Sequence, residues 1–346
     1  MIVWVIGAGG IGRVVAAVLA DHQEAAVRLI PQRHTRVPEL GDGLAVRTTE
    51  GVLEATPSVT ALDDLGRLPE HPDLVLVCVK GDSTDRVIAA VRANLTSTTT
   101  ILTLQNGLQA YRLAGCLGVE RTLGAVLAFD GVAVGVREAV QLRADRRILV
   151  GGFRGVGEAH LRRAAKILQV CAPVRIAPDL GAALWGKLIA NAAVNPVSAI
   201  AGQTVGTTLR TRSWVRLCAG LVAEGLRVAQ AAGIGVTADD LLGIEPHRFT
   251  EPDDSLLTDV VAAHAGVAHL RSTMCRDVED GRTTEVEWIN GEIIRQGHQM
   301  NVGTPLHRSI VATIRRLEAA RSTGRHLDAS PTPPVASNHP DHTEGR

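Results

Sequence analysis

Lys187, Asn191 and Asn195 interrupt an otherwise apolar run from Leu184 to Pro196 at intervals of four. On an α-helix that spacing makes one nearly continuous stripe. A solvent-facing stripe would favour Glu, Arg and Lys, whereas Asn is a poor helix former, so the stripe reads as the wall of a polar cleft. Lysine is scarce, because Lys80, Lys166 and Lys187 are the only three among 36 basic residues. A partly desolvated amine can release a proton near neutral pH and a guanidinium cannot, which makes Lys187 a candidate general acid. Glu285 is the second candidate. It would hydrogen-bond a substrate hydroxyl or the lysine ammonium, the bland alternative being favourable charge in a helix first turn. Its neighbours Thr284 and Glu287 have the spacing of a capping box, which gives them a structural role.

A second cluster lies at the start of the chain, where Gly7-Ala8-Gly9-Gly10-Ile11-Gly12 stands between an apolar run and a helical stretch. Glycines at this spacing permit a tight turn, close approach of a pyrophosphate to the backbone, and close helix packing. The helix N-terminus then presents N–H groups to the phosphates, so Gly7, Gly9, Gly10, Ile11 and Gly12 are expected to bind a dinucleotide. An NAD enzyme usually carries Asp or Glu at the end of the second strand, and an arginine there accommodates a 2′-phosphate. Here the segment Ile30 to Arg36 holds no carboxylate and two arginines; Asp21 and Glu24 come too early and Glu39 too late. Arg33, with Arg36 as the other candidate, therefore predicts NADP(H), unless both are solvated loop charges. Two further strand ends should reach the same crevice: Lys80 after Asp73–Val79, and Asn106 in Leu104-Gln105-Asn106-Gly107, where a plain turn is the competing reading.

These residues need elements to position them. The first half alternates short β-rich runs with helical stretches, the pattern of a parallel sheet with crossover helices. The expected strands are Met1–Ile6, Ala26–Ile30, Asp73–Lys80, Thr98–Leu104, Thr122–Leu127, Ala139–Leu142, Arg147–Val150 and Pro173–Ile176, all in one sheet. From Asp179 helical periodicity takes over, so the reading is an α/β Rossmann dinucleotide-binding domain (residues 1–178) followed by an all-helical domain (179–321). Residues 322–346 are rich in Pro, Ser, His and Asp and read as a flexible tail.

Composition narrows the function classes. The 36 basic and 36 acidic residues balance and only 2% of residues are aromatic, which argues against a nucleic-acid binder. No apolar stretch is long enough to span a membrane, and the N-terminus lacks the basic start of a secretory signal, so a cytoplasmic protein is expected. Five scattered cysteines without a CxxC pair suggest neither disulfides nor zinc, and no metal site is expected.

Taken together, GAGGIG at 7–12, VK at 79–80, LQNG at 104–107, LWGKLIANAAVNPVSAI at 184–200 and TEVEWINGEI at 284–293 resemble the ketopantoate reductase (2-dehydropantoate 2-reductase) family, over Met1 to about Leu317. The resemblance implies NADPH-dependent reduction of a small-molecule 2-oxo acid, 2-dehydropantoate foremost, as in pantothenate and coenzyme A synthesis. It places the active site between the two domains. It assigns the proton-donating lysine to Lys187, the cleft glutamate to Glu285, substrate-binding asparagines to Asn191 and Asn195, and a cofactor-side asparagine that also meets substrate to Asn106. The substrate-carboxylate serine matches Thr273, and Lys80 matches a lysine lining the cofactor site. A homodimer built on the helical domain is the associated assembly. Gln109, Ser83, Val205, the aliphatic Leu123–Asp130 segment and the Pro31-Gln32 insertion depart from the family pattern. Two alternatives stay open: a related reductase of another oxo acid or an imine, and a non-catalytic NADP(H)-sensing module.

Overall fold

The computed structural model describes residues 1–23, 25–48, 51–129, 131–141, 147–250 and 252–322. Glu24, Asp130, Leu142 and the expected tail from residue 323 lie outside the described residues. The chain forms two compact units, Met1–Leu184 and Trp185–Arg346.

The strands of the first unit are β1 (Ile2–Ile6), β2 (Ala26–Ile30), β3 (Leu44–Thr48), β4 (Gly51–Ala55), β5 (Ser58–Val59), β6 (Leu74–Val77), β7 (Thr100–Thr103), β8 (Thr122–Leu127), β9 (Gly131–Ala133), β10 (Glu138–Gln141), β11 (Ile148–Gly152) and β12 (Val174–Ile176). Its helices are α1 (Gly10–Asp21), α2 (Val37–Gly41), α3 (Thr84–Val91), α4 (Gln109–Leu117) and α5 (Glu158–Leu168). The main sheet has the order β12-β11-β8-β7-β6-β1-β2-β5. From β8 through β5 every pairing is parallel, while β11 meets β8 antiparallel. Strands covered on both faces read as continuous apolar runs, and alternate side chains supply the two cores. Val3, Val5, Leu29, Leu74 and Leu76 pack with α1 and α5. Trp4, Ile6, Ile30, Val75 and Val77 pack with α3 and α4.

One expectation is corrected. The strand expected at Ala139–Leu142 appears as β10, but in a separate sheet of order β4-β3-β10-β9. Its residues, like those of β3, alternate between buried and more exposed positions because one face covers α1 and the other meets solvent, and β4 beside them is half-buried at most. That period-two pattern in short segments differs from the continuous runs of the main sheet.

The second unit is helical among the described residues. Its helices are α6 (Leu180–Ala201), whose first turn belongs to the first unit, α7 (Val205–Leu209), α8 (Arg212–Ala231), α9 (Asp254–Ala263), α10 (Thr273–Glu279), α11 (Val286–Gln299) and α12 (Pro305–Ser322). Pro196 lies inside α6 and has no N–H to give the Ala192 carbonyl one turn earlier. Asn290 on α11 donates its Nδ2 to that carbonyl at 2.8 Å. The Cys218 thiol of α8 points at the Ala193 carbonyl at 3.6 Å, and the Ser272 hydroxyl donates to the Asn195 carbonyl at 3.0 Å.

Asn290 also donates to His307 Nδ1 at 3.1 Å, and His307 Nε2 faces the Leu221 carbonyl at 3.1 Å. A carbonyl only accepts, so the His307 proton sits on Nε2. Glu224 of α8 accepts the N–H groups of Leu306 and His307 and so caps α12. Burial drives the His307 imidazole down from 6.5 to about 4. The unfolded chain therefore binds a proton that the folded chain refuses between those values, and stability is full above about pH 6.5 and falls as pH drops toward 4. The loss attributable to this ring is of the order of 3 kcal/mol. Urea midpoints measured from pH 7.5 to 4.5 should fall more steeply for the native protein than for His307→Gln; equal slopes would contradict the assignment.

Candidate active site

In the first unit the glycine loop is fixed by three close approaches. Gly7 has φ +116°, donates its N–H to the Ile30 carbonyl at 2.9 Å, and lies so close to Cys78 that a Cβ would stand 2.8 Å from its carbonyl carbon. A Cβ on Gly12 would stand 1.7 Å from the Gly7 oxygen, and one on Gly10 1.9 Å from the Gly131 oxygen in the second sheet. Gly9 differs, because a Cβ there would meet nothing within 4 Å among the described residues. The first intrahelical bond of α1 runs from the Arg13 N–H to the Gly9 carbonyl, so the N–H groups of Gly10, Ile11 and Gly12 precede it. The open face at Gly9 and the amides beside it fit a pyrophosphate.

Sequence reasoning missed Arg13. This residue is 3% exposed, and its guanidinium donates to the carbonyls of Ala8 (2.8 Å), Gly135 (2.7 Å) and Glu138 (3.0 Å). It thereby ties the glycine loop to the second sheet. Burial lowers its pKa, with the nearby Arg36 charge adding to the effect. The signal was present as a lone charge within the apolar face of α1.

The other cofactor-side candidates follow the carboxyl ends of neighbouring parallel strands, at the switch point where open α/β sheets bind ligands. Arg33 comes three residues after β2 and is exposed. Arg36 is engaged with Glu39 at 3.8 Å. Lys80 is half-buried after β6. The inserted Gln32 accepts a hydrogen bond from the Ser83 hydroxyl at 3.2 Å, so the insertion and the Ser83 departure are partners. After β7, Gln105 turns inward to Thr103 and Thr84, Gly107 takes φ +80°, and Asn106 is left exposed.

In the second unit Lys187, Asn191 and Asn195 are half-buried positions of a helix whose remaining residues are mostly buried. The hydroxyl directed at the Asn195 carbonyl belongs to Ser272, the N-cap of α10, which also accepts from the Ser198 hydroxyl at 2.7 Å. Thr273 is exposed, and its hydroxyl accepts from Arg276 at 3.3 Å. Glu285 is half-buried at the N-cap of α11. The capping box needs correction: the Thr284 hydroxyl does accept from the Val286 N–H, but the Thr284 N–H goes to Glu318 of α12 and Glu287 is engaged by Arg315. A tertiary partner displaced the local one. Burial lowers the His264 pKa, the Val260 carbonyl at its Nδ1 opposes that shift, and the Lys187 charge adds to it. No group of metal-ligating side chains occurs among the described residues.

Residues 3–155 match the family description "Ketopantoate reductase PanE/ApbA" and residues 179–318 its C-terminal counterpart. The chain belongs to the ketopantoate reductase family. As a member it is an NAD(P)-dependent oxidoreductase. It is 26% identical over 327 residues to the 2-dehydropantoate 2-reductase of Halobacterium salinarum, covering 91% of this chain and 98% of that protein. The PanE/ApbA family ketopantoate reductase of Ralstonia eutropha JMP134 superposes with a TM-score of 0.76 at 25% identity, over 93% of this chain and all of that one. D-mandelate dehydrogenase, solved with NADH and anilino(oxo)acetate, gives 0.80 at 17% identity over 93% and 100%, a likeness of fold alone. No helix among the described residues is long and apolar enough to cross a membrane.

The glycines of the loop should separate by substitution. Gly9→Ala should fold with an unchanged thermal midpoint yet weaken binding of the nicotinamide dinucleotide by at least about tenfold, roughly 1.4 kcal/mol. Gly12→Ala should lower the midpoint, because its methyl collides with the Gly7 oxygen. Thermal melts and fluorescence titration of NADPH check both, and a Gly9→Ala protein that binds NADPH normally would reject the pyrophosphate assignment.

Proposed function

We propose that this chain reduces a 2-oxo acid to the 2-hydroxy acid with NADPH, with 2-dehydropantoate the first substrate to test. The observation that carries the reading is the half-buried stripe of Lys187, Asn191 and Asn195 on a helix otherwise committed to the core. A bound reduced nicotinamide supplies a hydride to C2 of the oxo acid. As the carbonyl π bond breaks, the Lys187 ammonium gives its proton to the oxygen, and solvent restores it. Asn191, Asn195 and Thr273 hold the carboxylate and hydroxyl groups of the acid, and Glu285 orients the new hydroxyl or the ammonium. Asn106 and Lys80 serve the cofactor side, Asn106 meeting the substrate as well. Gly7, Gly9, Gly10, Ile11 and Gly12 hold the pyrophosphate.

The 2′-phosphate falls to Arg33, which is exposed beyond β2 in a segment without a carboxylate, while Arg36 already faces Glu39. Residues 1–178 form the cofactor domain and 179–321 the substrate and dimerisation domain in this reading, with a cytoplasmic homodimer as the working assembly.

General acid catalysis contributes ~10²- to 10⁴-fold, so Lys187→Ala should lower kcat by about that factor while NADPH still binds. Initial rates from NADPH absorbance and a parallel binding titration measure the two quantities. A Lys187→Ala enzyme of native kcat sinks the mechanism. For the cofactor, kcat/KM should be higher with NADPH than with NADH, and Arg33→Ala should narrow the gap; equal values in the native enzyme would overturn the preference.

A further inference from the structure

Gln109, one of the departures from the family pattern, is the first residue of α4 and is only 3% exposed. Its Oε1 is buried and has no hydrogen-bond partner among the described residues. A buried acceptor that has given up water and gained no donor is costly, so folded chains hold few of them and each calls for a reason. The side-chain oxygens of Asn94 and Asn290 are open as well, but both residues use Nδ2 to hold backbone carbonyls, at Leu68 and Ala192. Gln141, also open, ends β10 in the second sheet. Gln109 holds no carbonyl among the described residues and stands instead beyond the carboxyl end of β7, next to the turn that carries Asn106.

Local geometry aims this amide at the ligand crevice. The Cα–Cβ bond of a helical residue leans toward the helix N-terminus, so the first side chain of α4 is directed back toward the turn after β7. That turn is firmly held. Gly107 takes φ +80°, Gln105 donates to the Thr84 hydroxyl at 3.0 Å, and Ala110 rests on β8, where a Cβ on Gly124 would stand 3.2 Å from the Ala110 Cβ. The Tyr111 N–H bonds the Leu108 carbonyl at 3.1 Å, so the backbone amides of Gln109 and Ala110 precede the first bond of the helix. In the sheet β7 lies two strands from β1, roughly 10 Å at the usual spacing. A dinucleotide crosses such a crevice from one half of the sheet to the other, so with its pyrophosphate after β1 its second nucleoside lies over β6 and β7.

Chemistry separates the groups that could meet Gln109 there. A carboxylate or a phosphate oxygen only accepts, and would leave Oε1 facing a second acceptor. A primary carboxamide offers an N–H donor beside an acceptor, the counterpart of the glutamine amide, and a nicotinamide ring carries one. We propose that Gln109 binds the carboxamide of the nicotinamide, its Oε1 accepting from the carboxamide N–H, and so fixes which face of the ring is presented for hydride transfer. The inference rests on the reading of the glycine loop as the pyrophosphate site.

The test is a set of binding titrations on the full chain, read by tryptophan fluorescence. The ligands are whichever of NADPH and NADH the native protein binds more tightly, its 3-acetylpyridine analogue, in which a methyl group replaces the amide nitrogen, and the matching ADP-ribose, which lacks the ring. Gln109→Met keeps the length of the side chain and removes its polar end. The native protein should prefer the natural dinucleotide to the analogue by about tenfold, and Gln109→Met should bind the two alike, having lost about tenfold on the natural one alone. Its affinity for the ADP-ribose should be unchanged. Its thermal midpoint without ligand should be equal or higher, because an unpaired buried acceptor has been removed. Gln109→Leu repeats the titrations if Gln109→Met melts early. A native preference that survives in the variants, or equal losses on dinucleotide and ADP-ribose, overturns the carboxamide assignment and leaves the glycine-loop reading standing. A native protein that binds neither dinucleotide nor ADP-ribose overturns both.

Discussion

Pro196 withholds from the Ala192 carbonyl the N–H it would accept in an unbroken helix, and a buried carbonyl left open costs roughly 1–3 kcal/mol. Asn290 closes that gap from α11, while Cys218 and Ser272 take the next carbonyls, at Ala193 and Asn195, from α8 and α10. Turning α6 by a single residue would break all three contacts. The angular position of Lys187, Asn191 and Asn195 is therefore set by backbone oxygens lying within about two turns of the lysine. Asn290 can do this because His307 accepts its other amide proton, and His307 can accept because burial keeps its ring neutral. The facing of the stripe thus depends on a neutral histidine far from it in sequence.

A parallel economy governs the glycine loop. Helix α1 sits between two sheets, and the loop before it touches both, at Cys78 through Gly7 and at Gly131 through Gly10. Arg13 adds a desolvated positive charge whose donors are spent on loop and sheet carbonyls. The result is a rigid backbone surface with one open side at Gly9. Rigidity here is useful, since amides already aimed at an anion need no ordering when it binds.

What could be read from the sequence follows the length scale of the signal. Strands β1, β2, β6 and β7 were legible because both faces are buried and the runs are unbroken; β3, β4 and β9 were not, because half-exposed segments of three to five residues resemble loops. The stripe on α6 was legible because a period of four survives folding unchanged. The capping role of Glu287 was misread because Arg315, distant in sequence, claimed its carboxylate, and Glu318 took the vacant amide. Ser272 and Thr273 are adjacent hydroxyls, and only the helix start at α10 decides which one turns inward.

The contact between Gly10 and Gly131 also bears on how the protein is made. These glycines are 121 positions apart, yet the loop that starts α1 rests on the backbone of β9. Contacts of such long separation form late, because the intervening chain must first lose its freedom. During synthesis the first strand and helix emerge early, but the cradle they outline stays unfinished until residues 131–138 leave the ribosome and Arg13 finds its carbonyls. Nucleotide capture is thus postponed until most of the first unit exists.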